Sequence, residues 1–297
     1  MSESISSKIG GKAVLAVPTH WMTSPDWVEA AQDMRKRVAE EISLLEQAPD
    51  MIDVTCMVAQ TSLVNQCAVN PTGSRIETWE AVVHALQVGT ALYQIIDRAE
   101  GVVECFIADE VRRLPAIGPI AKGTVHTWLT TFYLAVICAD GARLELLSRV
   151  PIGRLRNPDV LVDEFLFSWV DTLQTWYRQE PEWAEKLMTT IRTSYPEVAT
   201  IMPGDYLGRI AYQPINLFYT LLCHDDRFNE ALVEALGHHH AYWTESPDRE
   251  KDLEGCIALG VLAMTCMAKD MGVNLTVESE YIPRHLVEGS WRGEFVI

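Results

Sequence analysis

The chain has 297 residues, 48% hydrophobic and 22% charged, with a formal net charge of −17 at pH 7. That balance is globular and argues against disorder, and the length allows one large domain or two ordinary ones. So strong an acidic excess argues against nucleic acid as a ligand, because phosphate contacts need clustered Lys and Arg.

Taken in chain order, residues 1–20 read as a flexible N-terminal segment and residues 21–297 as a single multihelical domain. No basic start followed by an apolar core opens the chain, so no export signal is expected. Ser24 and Pro25 form a helix start of N-cap followed by N1 proline, for a helix running to about residue 48. A second helix spans residues 50–69, stopped by Asn70-Pro71. Ser74, with Glu77 three residues on, predicts a capping box for a third. Trp79, Val82, Val83, Leu86, Tyr93 and Ile96 line one face of that helix, and Gly89 would let a neighbouring helix approach closely.

Residues 101–114 break the helical period. They are rich in β-branched residues around Asp109-Glu110 and predict one small β-hairpin. Helical patterning resumes at about residue 124. Residues 148–159 (SRVPIGRLRNPD) are the one linker-like stretch, at which two lobes would divide. After Asp159, apolar residues from Leu161 to Tyr177 fall at helical spacing, and shorter helices follow near 182–194 and 196–202. Helices are expected over residues 205–223, kinked at Pro214, over 226–243, and over 254–271. The fold class is therefore all-α: stacked antiparallel helix pairs with one hairpin. The longest apolar run, residues 255–268, is shorter than the roughly 20 residues a bilayer needs. The seven cysteines are odd in number, widely spaced and without a CxxC pair. They read as reduced core thiols of a cytoplasmic protein, with no structural zinc.

Three constellations invite chemistry. His238-His239-His240 point about 100° apart on a helix and so do not converge on one ion; a helix end with partly exposed imidazoles is the simpler reading. Asp225-Asp226 resembles the aspartate-rich motif of class I terpene synthases, which holds magnesium against a diphosphate. No second metal motif or basic cluster accompanies it, and an acidic first helical turn explains it through the helix dipole. No GxGxxG, phosphate loop, GxSxG or HExxH occurs, so no cofactor, metal or catalytic residue is assigned and no enzyme activity is expected.

The tail, residues 277–295 (VESEYIPRHLVEGSWRGEF), is too apolar and aromatic for a frayed terminus. Tyr281, Ile282, Leu286, Val287, Trp291 and Phe295 would leave large apolar area in water unless the tail docks on the body. This run resembles the C-terminal signature of the immunity 49 family, immunity proteins of bacterial polymorphic toxin systems. The likeness extends to residues 75–94 (with Glu77, Trp79, Glu80 and Gln87), 216–222, 228–236, the pattern His239-x-x-Tyr242-Trp243, and 257–272. It covers roughly residue 50 to the C-terminus, with Tyr281, Pro283, Arg284, His285 and Trp291 as the tail's pattern residues, expected to be structural.

The resemblance implies a mainly helical, non-enzymatic cytoplasmic protein that neutralises a cognate toxin. Residues 201–297 carry the largest charge excess, 7 basic against 15 acidic side chains, and suit a basic partner. The expected contact residues are Asp225, Asp226, Glu230, Glu234, Glu245, Glu250, Glu254, Glu278 and Glu280, which would occlude the toxin without nucleic acid or membrane. The alternatives are a helical metal-dependent enzyme of terpene-synthase type, or an interaction protein acting without a toxin.

Overall fold

A computed structural model describes residues 5–9, 12–118 and 122–294 of the chain. The elements are helices α1 (Pro25–Leu44), α2 (Ile52–Val69), α3 (Ile76–Asp97), α4 (Val125–Cys138), α5 (Gly141–Ser148), α6 (Glu164–Tyr177), α7 (Trp183–Thr193), α8 (Gly204–Tyr206), α9 (Gln213–Cys223), α10 (Phe228–Trp243), α11 (Pro247–Glu250), α12 (Leu259–Asp270) and α13 (Arg284–Val287). Strands are β1 (Ile5–Ile9), β2 (Lys12–Ala16), β3 (Val102–Ile107), β4 (Glu110–Pro115) and β5 (Val277–Glu278). The closest helix packings are α2 with α3, α6 with α7 and α1 with α2, all neighbours in sequence, as short loops between helices require.

The helix that starts at Pro25 is capped by Ser24, whose hydroxyl accepts from Trp27 N at 3.3 Å. The hairpin forms as β3–β4, turning on Ala108 and Asp109, both with φ > 0 (52° and 63°). Two left-handed central residues match the twist of the flanking strands, which is why the turn sits there. A second small sheet, β1-β2-β5, was not legible in the sequence: β1 and β2 are antiparallel, and β2 pairs in parallel with β5 from the tail.

Several boundaries differ for local reasons. Ser74 is not the cap of α3. Arg75 holds the cap position, with no side-chain cap bond; in the amide orientation that satisfies its neighbours, Asn70, the C-cap of α2, accepts from Arg75 N (2.8 Å), Ser74 N (3.2 Å) and Thr78 Oγ1 (2.8 Å), fixing the turn that leads into α3. Leu161 is 82% exposed rather than core, because α6 begins only at Glu164. The buried Asp163 carboxylate instead accepts from the backbone N–H groups of Thr200, Ile201 and Met202 at 2.7–3.1 Å. Those bonds hold residues 200–202 non-helical, so the short helix expected over 196–202 is a turn. A π-helical turn, Leu207–Ala211, precedes Pro214, and α9 starts afresh at Gln213.

One continuous core joins these elements; Trp79, Trp128, Trp169, Phe132, Phe165, Phe218 and Phe228 are among its fully buried side chains. Residues 148–159 are tied into it. Gln174 Nε2 donates to Leu147 O (3.0 Å) and Val150 O (2.8 Å), Arg154 donates to Ile96 O (3.2 Å), and Leu155 is buried. All seven cysteines are free, with Cys223 exposed and the rest buried. Desolvation pushes the Cys56 and Cys256 thiols up to about 12, so both are neutral at physiological pH. Among the described residues, no helix is long and apolar enough to cross a membrane.

Gly89 sits where α3 meets α4. A Cβ there would lie 2.4 Å from Thr131 Oγ1, which is held by a 2.7 Å bond to Thr127 O. Helix propensity favours Ala over Gly by about 1 kcal/mol, but overpacking of a tight contact costs about 1–3 kcal/mol. Gly89→Ala is therefore expected to lower the thermal midpoint by a few degrees, at about 2–4 °C per kcal/mol for a chain of this class. Adding Thr131→Ala opens the space and is expected to recover at least part of the loss in the same calorimetric scan.

Candidate functional site

The tail docks, and it does so on five other parts of the molecule. Leu15 N donates to Thr276 O (3.0 Å) and Val17 N to Glu278 O (3.1 Å), joining it to the N-terminal segment. Asn229 at the start of α10 brackets it, donating to Asn274 O (3.0 Å) and accepting from Thr276 N (2.8 Å). Ala258 N donates to Tyr281 O (2.9 Å), and this bond falls where the expected helix 254–271 breaks into a 3₁₀ turn, Leu253–Cys256, and α12. His285 N donates to Thr72 O (3.0 Å) and Trp291 Nε1 to Gly73 O (3.0 Å), fastening the tail to the α2–α3 turn. Arg292 closes the chain, bonding Ile137 O (3.1 Å) and pairing with Asp270 (2.8 Å). Phe295 lies outside the described residues.

Tyr281 is the centre of this docking. It is fully buried, and its hydroxyl lies 2.7 Å from His20 Nδ1 and 3.0 Å from His240 Nδ1. A phenol has one proton, so it donates to one imidazole and accepts from the other. His239 packs edge-on to the same ring at 4.7 Å, and Trp21 leans on it at 5.3 Å. His239 is buried, not a partly exposed helix-end residue: its Nε2–H donates to Gly255 O at 2.9 Å. Desolvation lowers its pKa to about 4, against the favourable pull of the Gly255 bond, so the ring is neutral at pH 7. The three histidines of the run thus diverge, with His238 exposed, His239 buried and His240 on Tyr281. Neither His20 nor Trp21 carries a local signal of this role, since their partner Tyr281 lies about 260 residues away.

The remaining pattern residues are spread through the fold. Trp79 is buried on α3. Glu80 pairs with Arg35 of α1 at 2.6 Å, and Glu77 lies 3.9 Å from the same arginine. Buried Gln87 accepts from Ala108 N at the hairpin turn (2.9 Å). Trp243 is buried, and Tyr242 lies under the Arg249 guanidinium at 4.0 Å. Pro283 is buried against Gly73, whose φ of +68° suits glycine and whose added Cβ would meet Pro283 at 3.1 Å. Arg284 and His285 bond within the tail, to Glu288 (2.7 Å) and Ser290 (3.1 Å).

The acidic candidates divide into two kinds. Asp225 and Asp226 form the 3₁₀ turn ahead of α10, and Glu230 and Glu234 follow on its exposed face. Glu230 approaches Arg227 at 3.4 Å with both side chains about 70% exposed, a pair worth at most about 1 kcal/mol. Asp225, Asp226 and Glu234 have no ion-pair partner among the described residues. Glu245, by contrast, is neutralised by Arg209 (2.7 Å) and Arg249 (3.0 Å), and Arg249 also holds Asp205 (2.7 Å). Glu250 is exposed, and partial burial with nearby Asp252 raises the pKa of Glu254. Glu278 and Glu280 are exposed, with Glu280 accepting from Thr19 Oγ1 (3.2 Å). The Asn229 bonds place the acidic start of α10 beside the strand that carries Glu278. Among the described residues no group of three His, Cys, Asp or Glu is arranged to hold a metal ion.

The model of a protein family, immunity protein 49, matches residues 70–286. The chain belongs to the immunity protein 49 family. The match runs from the Asn70 cap to Leu286 of α13; it is narrower than the likeness read from the residues and leaves out Trp291. No curated protein and no solved structure matches the chain.

Two outcomes test the docking around Tyr281. Tyr281→Phe keeps the ring but strands two imidazole nitrogens, and is expected to cost about 1–3 kcal/mol in urea unfolding. The pH effect has a defined sign. His239 in the unfolded chain takes up a proton near 6.5, whereas in the fold it does so near 4. Between those values the unfolded state binds more protons, so stability falls as pH drops from 6.5 toward 4, by roughly 3 kcal/mol from this group. His239→Gln does not titrate, and is expected to flatten that part of the stability–pH curve.

Proposed function

We propose that this protein is an immunity protein that binds a cognate toxin domain in the cytoplasm and occludes it, without chemistry of its own. Membership in the immunity protein 49 family supports the class of function. The observation that carries the mechanism is the set of exposed, unpaired carboxylates at the start of α10, Asp225, Asp226 and Glu234, set beside the docked tail. Uncompensated surface charge projects potential into solvent, raising the encounter rate with a basic partner. Glu245 contributes little to that field because two arginines already neutralise it.

Occlusion needs a surface that keeps its shape. The carboxylates stand on a helix whose inner face is buried through Phe228, Leu232, Ala235 and Leu236. Little is then lost on binding to ordering the acidic face. Aromatic or aliphatic anchors would supply the residence time and the charges the rate.

Co-expression with the cognate toxin domain that the proposal requires is expected to restore growth and to yield a complex that co-purifies. The quadruple variant Asp225→Lys, Asp226→Lys, Glu230→Lys, Glu234→Lys is expected to lower the association rate at least tenfold at low salt. The deficit should shrink as salt rises, while Asp33→Lys on α1 changes little. Rescue of growth without any complex would reject occlusion.

A further inference from the structure

A cavity lies away from the acidic face of α10. It is a groove of about 920 Å³ between the N-terminal segment and the tail, at the upper end of the range of small-molecule sites, roughly 300–1,000 Å³. Its apolar lining includes Val17, Pro18, Trp21 and Met22 on one side and Val273, Leu275 and Ile282 on the other. Trp21 and Ile282 are buried in its floor, whereas Met22 is 89% exposed. The walls are fixed to one another: β2 pairs with β5, Ser279 Oγ donates to Val17 O (3.0 Å), and Trp21 Nε1 donates to Ala68 O (3.3 Å). A concave apolar surface held open in this way, with a large thioether left in water, is the arrangement found at protein-binding grooves.

Its charges indicate the occupant. Glu278, Glu280 and Glu288 line the groove together with Lys269 and Arg284. Arg284 and Glu288 neutralise each other at 2.7 Å. Three carboxylates thus face two cations: Glu278 is exposed and feels Arg284 without forming an ion pair among the described residues, and Glu280 accepts from the Thr19 hydroxyl. The groove is therefore apolar within and net negative at its edge.

We infer that this groove, resting on the immunity reading above, is the anchoring site of the toxin: it takes a toxin segment with one or two large apolar side chains flanked by Lys or Arg. The carboxylates of α10 then serve encounter, and the groove serves retention. The two surfaces are neighbours, joined through Asn229.

The test is site-specific photo-crosslinking with the purified full-length chain and the toxin domain that passes the co-expression test above. A benzophenone amino acid at Met22 is expected to crosslink to the toxin, and one at Leu161, equally exposed on another part of the molecule, is not. The double variant Glu278→Lys, Glu280→Lys, exposed at both positions and so expected to keep the native melting temperature, should raise Kd at least tenfold at low salt. A complex that forms with no crosslink from Met22 and an unchanged Kd overturns the groove and leaves the immunity reading standing. A Met22 crosslink joining two copies of this chain, in the absence of toxin, also overturns it. Failure of the unaltered protein to bind the toxin at all removes the immunity reading, and the groove with it.

Discussion

A single phenol joins three parts of the chain that lie far apart in sequence. The Tyr281 hydroxyl satisfies His20 from the N-terminal segment and His240 from α10, and its carbonyl takes the N–H of Ala258 ahead of α12. In a buried setting each of those polar groups costs about 1–3 kcal/mol if left unpaired. Tail, N-terminal segment and α10 are consequently stable as a set, and loosening one exposes the others' unmet bonds. Burial of Tyr281, Ile282 and Leu286 adds roughly 1.5–3 kcal/mol each, enough to hold a segment with only two short elements of its own.

The same constraint shapes the surface. Along the tail, Val277, Tyr281, Ile282, Pro283 and Leu286 face inward, while Glu278, Glu280, Arg284 and Glu288 remain in water. Docking therefore fixes where the acidic groups stand, and it also forms one wall of the groove against the N-terminal segment. The proposed binding would rest on shape and potential, the two properties that docking of the tail sets on this face. Its buried ionisable groups are tied into the fold: neutral His239 on a backbone carbonyl, and Asp163 on three backbone N–H groups.

Much of the helical fold was legible because local rules decided it. Ser24-Pro25 starts α1 as a cap and N1 proline should, the hairpin turns at Asp109, and Gly89 marks a close crossing with α4. The failures have a common cause in partners distant in sequence. Residues 196–202 looked helical until Asp163 claimed their N–H groups, and residues 254–271 looked continuous until the tail carbonyl met Ala258. The site was less legible than the fold. Composition located the acidic third of the chain, but only geometry separates the unpaired acids Asp225, Asp226 and Glu234 from the neutralised Glu245. The role of residues 15–22 lay outside any local pattern, since every contact that defines it is made with the other end of the chain or with α2 and α10.

Amide hydrogen exchange, measured on the chain alone and again with its toxin domain bound, tests the central claim most directly. If the docked tail presents the contact surface, residues 15–22, 225–236 and 273–288 exchange more slowly in the complex, and the amides of Ala258 and Leu286 are protected in both states. Protection confined to the α6–α7 side of the molecule, or rapid exchange at Ala258 and Leu286 in the free protein, would contradict it.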